Sequence, residues 1–170
     1  MKLGFLRKPA REEPPLVVSM TGVRLGDRVI FAGTNPALLM PLAARTGLSG
    51  QVLALGADAA GLKARAEREG HLVEAATEPP ADGSYDVAVV ETSGGWASVI
   101  APLVAAVRPA GRIVVVIGTP VQGPLAFLKA SAARSPEPAL VVESLERAGW
   151  HRARSIGGRD GMTFVEAMRT

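Results

Sequence analysis

VIFAGTNPALL, residues 29–39, is an apolar run that enters a Gly-Thr-Asn-Pro turn and leaves it on a helical pattern. This is the appearance of a nucleotide-binding strand–loop–helix unit. The strand carries the chain to a sheet edge, and the N-terminus of the following helix faces the ligand. Loops of this kind carry two or three glycines, whereas this one has Gly33 alone. The stretch sets two expectations: an α/β architecture, and a loop altered at the positions that would touch a ligand.

The same alternation continues along the chain. Arg28–Ala32 reads as a strand and Pro36–Thr46 as a helix closed by Gly47; Pro41 inside it is expected to kink it or delay its start. Val52–Leu55 is a second apolar run, Ala59–Glu69 is amphipathic, and His71–Glu74 is a short strand. TEPPADGS is a loop by composition. Asp86–Val90 is a buried strand, Ala97–Val107 a helix that stops before Pro109, and Arg112–Ile117 the strongest buried strand. Leu125–Ala133 and Ala139–Ala148 read as helices. Arg152–Ile156, the turn GGRDG and Met162–Met168 form a hairpin, because Asp-Gly favours a tight turn. Strands apolar on both faces, each followed by a helix, imply a parallel sheet covered on both sides. The closing hairpin requires one antiparallel strand.

The chain has 170 residues, enough for one domain with a full core, expected over residues 16–170. Residues 1–15, polar and proline-rich, are expected to form an N-terminal arm outside it. Apolar residues make up 48% and aromatics 4%, so the core is aliphatic. A net charge of +3 with scattered basic residues argues against a nucleic-acid protein. With no cysteine, thiolate metal sites and disulfides are excluded. His71 and His151 fall in different units and read as structural. No apolar run reaches membrane-spanning length, and Leu3–Leu6 is too short for a signal peptide, so a cytoplasmic protein is expected.

Taken together, these segments resemble the class I S-adenosylmethionine-dependent methyltransferases. DRVIFAGTNPALLMPLAARTGLSGQVLAL is similar to the family's first two strands and intervening helix. DGSYDVAVV is similar to its fourth strand, VRPAGRIVVV to its fifth, and LVVESLERAGWHRARSIGGRDGMTFVEAM to its closing helix and hairpin. The resemblance runs from Val23 to Arg169. It implies a doubly wound, seven-stranded Rossmann-like sheet in the order 3-2-1-4-5-7-6 with strand 7 antiparallel. It also implies S-adenosylmethionine as cofactor, held at Gly33, Thr34 and Asn35 of the first loop, at Gly56 or Asp58 after the second strand, and at Glu74 after the third; Glu91, after the fourth, joins them by its place at the sheet edge.

The family's motifs are degenerate here. Its first motif is acidic-x-Gly-x-Gly-x-Gly. Phe31 stands at the acidic position, Asn35 at the second glycine and Ala37 at the third. Gly56 stands where a carboxylate would hold the ribose hydroxyls, with Asp58 two residues on; restoring a carboxylate by Gly56→Asp is expected to tighten binding. The acidic position near the adenine falls on Glu74 in one register and on Ala76 in the other. Asn35 has two readings: a glycine substitute at positive φ, or a helix N-cap preceding Pro36. Glu91, Thr92 and Ser93 lie where ligands collect on open α/β sheets. Gly94, Gly95 and Trp96 suit a pocket mouth, Trp96 also suiting helix-start packing. Thr119–Pro124 suits a substrate loop or a rigid connector, and Trp150 reads as core.

No catalytic dyad is visible, and methyl transfer from a sulfonium needs mainly proximity and alignment. Two functions are therefore expected: a methyltransferase with a weakened cofactor site, or a non-catalytic binding or oligomerisation module on the same fold. A nicotinamide-dinucleotide domain is disfavoured, because both the glycine fingerprint and its ribose carboxylate are absent. The partner, whether a small-molecule substrate, a protein or a second copy in a homo-oligomer, is left open.

Overall fold

The aliphatic strands alternate their side chains between two faces, and both faces need cover. In β1 (Arg28–Ala32) Val29 and Phe31 point one way and Ile30 and Ala32 the other, and all four are buried. The computed structural model describes residues 14–92, 95–118 and 135–170. The expected helix Leu125–Ala133, the segment Thr119–Pro124, and Ser93 and Gly94 lie outside the described residues.

Around β1 stand β2 (Gln51–Leu55), β3 (Glu74–Ala76), β4 (Tyr85–Glu91), β5 (Val107–Ile117), β6 (His151–Arg159) and β7 (Met162–Met168). They form one seven-stranded sheet in the order β3-β2-β1-β4-β5-β7-β6. β7 pairs antiparallel with both β5 and β6, and the remaining pairings are parallel. Order and direction are those the resemblance implied, with β1, β4 and β5 at the buried centre.

Helices α1 (Leu16–Thr21), α2 (Pro36–Thr46) and α3 (Ala59–Arg68) cover one face over Phe31, Val89 and Val116. Helices α4 (Trp96–Val99), α5 (Pro102–Ala106) and α6 (Pro138–Arg147) cover the other over Ile30, Val90 and Val115. Each fully buried aliphatic side chain contributes about 1.5–3 kcal/mol. Trp150, at the junction of α6 and β6, is 1% exposed and donates its indole N–H to the Ile100 carbonyl at 2.8 Å.

Several local expectations are corrected. The helix read over Ala97–Val107 is two short helices, because Pro102 lacks the N–H needed to continue the first. Val107 already pairs with Tyr85, and the ladder then jumps to Val87–Arg112, looping out Arg108–Gly111. β3 is shifted to Glu74–Ala76, since the His71 N–H is drawn back to the Ala66 carbonyl at the end of α3. β6 runs past Ile156 to Arg159, and the hairpin turns on Asp160 and Gly161 alone, both at positive φ. α2 begins at Pro36 despite Pro41. α1 had no forecast: it is six residues long, lacks a side-chain cap, and is held by burial of Val17 and Val18.

Candidate cofactor cleft

A parallel sheet leaves a crevice at the carboxyl ends of its strands where the order reverses. Here β2 and β4 flank β1, and a cleft of about 290 Å³ opens over their ends. Its lining comes from Ala32–Thr34 after β1, Leu55–Asp58 after β2, Glu91 at the end of β4, and Gly95, Trp96, Ser98 and Val99 around α4.

The loop after β1 is held from beneath by a carboxylate. Glu91, 6% exposed, accepts the Thr34 N–H at 2.7 Å and the Asn35 N–H at 3.0 Å through one oxygen, Oε2. Such charge-assisted bonds are stronger than neutral ones. Gly33 makes room for them: a Cβ there would lie 2.7 Å from Glu91 Cβ and Oε2 and 2.9 Å from Phe31 Cζ. Phe31 is fully buried in the core beneath the loop. The carboxylate absent from β1 thus has a counterpart on β4, and the order of that contact was not visible in the sequence.

Asn35 is settled as a cap. Its φ is −89°, not positive, and its Oδ1 accepts the Ala37 N–H at 2.9 Å, with Pro36 at the first helical position. Asn35 orders the loop without lining the cleft.

Gly56 lines the cleft at φ +106°, a conformation nearly confined to glycine. Its N–H donates to the Ala76 carbonyl at 3.0 Å, fixing it at the tips of β2 and β3. A Cβ there would meet nothing within 4 Å, so backbone strain and not space is what opposes a carboxylate at this position. Asp58 lines the cleft too; it precedes α3 but makes no side-chain cap bond, which leaves its carboxylate available to a ligand. Glu74 is not among the cleft residues. It lies opposite Leu53, two residues short of the strand tip, where the Gln51 amide donates to it at 2.9 Å. The strand tip is Ala76, so no carboxylate stands there.

Trp96 both starts α4 and lines the cleft, with part of its ring against the core. Thr92 continues from β4, its N–H bonded to the Val116 carbonyl. His151 begins β6 and His71 precedes β3, and neither is among the cleft residues.

The fold matches known structures. A SAM-dependent methyltransferase from Aquifex aeolicus is similar with a TM-score of 0.70 at 18% identity, over 91% of this chain and 88% of that one. The fold is that of the S-adenosylmethionine-dependent methyltransferases. A SAM-dependent O-methyltransferase from Thermotoga maritima shares this methyltransferase fold with a TM-score of 0.62 at 17% identity, over 91% of this chain and 63% of that one. Phosphoethanolamine N-methyltransferase 2 of Haemonchus contortus, solved with S-adenosyl-L-methionine, has a TM-score of 0.59 at 11% identity, over 90% of this chain and 51% of that one. The chain therefore spans most of the first protein but only half to two-thirds of the other two. At these identities the likeness is one of fold. No protein-family model and no curated protein sequence matches the chain. Among the described residues, no helix is long and apolar enough to cross a membrane.

Proposed function

We propose that the cleft binds S-adenosylmethionine and that the protein is a methyltransferase with a weakened cofactor site. The observation that carries this reading is the convergence of Gly33, Thr34, Asp58 and Glu91 on one crevice at the ends of β1, β2 and β4. The residues present fit the group in part. Asp58, in the cleft and without a side-chain cap bond, is the acceptor this reading assigns to the ribose hydroxyls, and Gly33 leaves the room in which Glu91 orders the loop. When bound, the group supplies an electrophilic methyl on sulfur. The chain's own task is to orient the acceptor and exclude water, and this reading assigns that to Trp96, the large apolar side chain among the cleft residues around α4.

The absence of a carboxylate at Gly56 removes one charge-assisted hydrogen bond, a loss of about 10- to 100-fold in affinity where Asp58 does not make it up. Calorimetric titration of the full chain with S-adenosylmethionine and S-adenosylhomocysteine tests the reading. Saturable binding in the high micromolar to millimolar range supports it; low-micromolar binding would overturn the weakening, and no heat from either ligand up to several millimolar overturns the site.

A second reading, a non-catalytic binding or oligomerisation module, is favoured by one pair of observations: Phe31 is wholly core, and Gly56 is held at a φ that admits no carboxylate without strain. The absence of enzymatic S-adenosylhomocysteine release with a broad panel of acceptors, together with self-association in solution, would favour that module. A cytoplasmic location, with no nucleic-acid or membrane partner, belongs to the same proposal.

A further inference from the structure

The first loop of such folds attracts anions when its amides point outward. In this chain those amides are occupied. The Thr34 and Asn35 N–H groups go to Glu91, the Ala37 N–H to Asn35 Oδ1, and the Leu38 N–H to the Asn35 carbonyl, while Pro36 has none. The helix start therefore offers no free donor between residues 34 and 38. Two carboxylates, Glu91 and Asp58, line the cleft, and among the described residues no Lys, Arg or His does. Nor does Glu91 form an ion pair among those residues.

We propose that Glu91 inverts the charge preference of this cleft, so that it selects a sulfonium and rejects a phosphate. The proposal rests on the cofactor reading above and adds the chemistry that chooses among adenosine ligands. A cation placed over the loop meets a nearly buried carboxylate whose field is only partly screened by solvent. A pyrophosphate in the same place meets that negative charge and no free amide between residues 34 and 38. Glu91 therefore does two things: it orders the loop, and it supplies the charge that the loop would otherwise present with opposite sign.

Three adenosine compounds separate these roles when titrated calorimetrically into the full chain. S-adenosylmethionine carries a sulfonium, S-adenosylhomocysteine a neutral thioether in its place, and ADP a pyrophosphate. The expected ranking is sulfonium over thioether by about tenfold, the share that one charge pair supplies in a partly solvated cleft, with ADP weakest. In Glu91→Gln, which keeps an acceptor for the loop amides, the sulfonium-to-thioether ratio should fall to about one and ADP should gain. Asp58→Asn should lower the two sulfur ligands alike and leave their ratio in place. An unchanged ratio in Glu91→Gln, with all three ligands weakened together, would mean a purely structural Glu91 and overturn the proposal. Equal binding of the two sulfur ligands by the unmodified protein, or ADP binding tighter than S-adenosylmethionine, would overturn it while leaving an adenosine site standing. No binding of any of the three would overturn both this proposal and the cofactor reading. Were Glu91→Gln to melt before the titration temperature, the ranking in the unmodified protein decides.

Discussion

Gly33→Ala adds one methyl group at the point where loop, core and carboxylate meet. The new Cβ would lie 2.7 Å from Glu91 Cβ and 2.9 Å from Phe31 Cζ. Carbon atoms pack at about 3.5–4.0 Å, so the overlap is roughly half an ångström or more on two sides. Phe31 cannot retreat, because it is fully buried between the sheet and its helices. Glu91 is held by the Thr34 and Asn35 amides. Lifting the loop would forfeit both charge-assisted bonds, at about 1.5–3 kcal/mol each. Accepting the overpacking costs about 1–3 kcal/mol, so the chain takes that route. Replacing glycine returns about 0.4–1 kcal/mol through the unfolded state. The net expectation is a loss of up to about 2.5 kcal/mol, a fall of up to about 10 °C in melting temperature for a domain of this size. Gly61→Ala is the matched control. Gly61 lies inside α3 with nothing within 4 Å of its added Cβ. There the same change should stabilise by about 0.5–1 kcal/mol. Urea and thermal unfolding by circular dichroism measure both variants. Two shifts of the same sign, or a stabilised Gly33→Ala, would refute the packing argument.

Val115→Ala, in a strand flanked by β4 and β7 and fully buried, should cost about 1.5–3 kcal/mol for two lost methyls and the cavity they leave, read as a lower urea midpoint at unchanged slope. Burial pushes the Asp86 carboxyl up, but the Arg28 N–H at 2.8 Å and the Arg108 guanidinium at 2.6 Å more than offset this, leaving its pKa lowered. Its contribution to stability is therefore present above the unfolded value of about 3.9 and is lost as pH falls through the lower folded value; Asp86→Asn should flatten the acid limb of a melting-temperature-against-pH curve below about pH 5, and an unchanged limb would contradict the assignment. Gly56→Asp, expected from the sequence to tighten binding, should do so only at a cost of about 1–3 kcal/mol in folding stability, because a side chain at φ +106° is strained with or without a ligand. In calorimetry Asp58→Asn should weaken S-adenosylmethionine by about tenfold, and an unchanged melting temperature in Gly56→Asp would show that the backbone relaxes.

The sequence by itself determined the sheet. Strands apolar on both faces, helices between them and an Asp-Gly turn are local signals, and each acts through its own few residues. The doubly wound layers, the central place of Arg28–Ala32, Asp86–Val90 and Arg112–Ile117, and the antiparallel end of the sheet follow from them. Gly33, Thr34, Asp58 and Glu91 were also placed near one another by topology alone, since they follow strands that end on the same edge. Only the tertiary structure decided what those residues do. The bond from Glu91 to the Thr34 amide joins positions 57 residues apart and exists only once β1 and β4 are paired in register. The same holds for β3, whose pairing with β2 leaves Glu74 short of the tip and puts Ala76 there. Asn35 and Gly56 turned on backbone angles, −89° for the first and +106° for the second, which residue type constrains but does not set. α1 lacks caps and length of its own, and forms because the sheet buries two of its valines. Periodicity is carried along the chain and can be read there, whereas register and φ are set by contacts between segments that the linear order does not bring together.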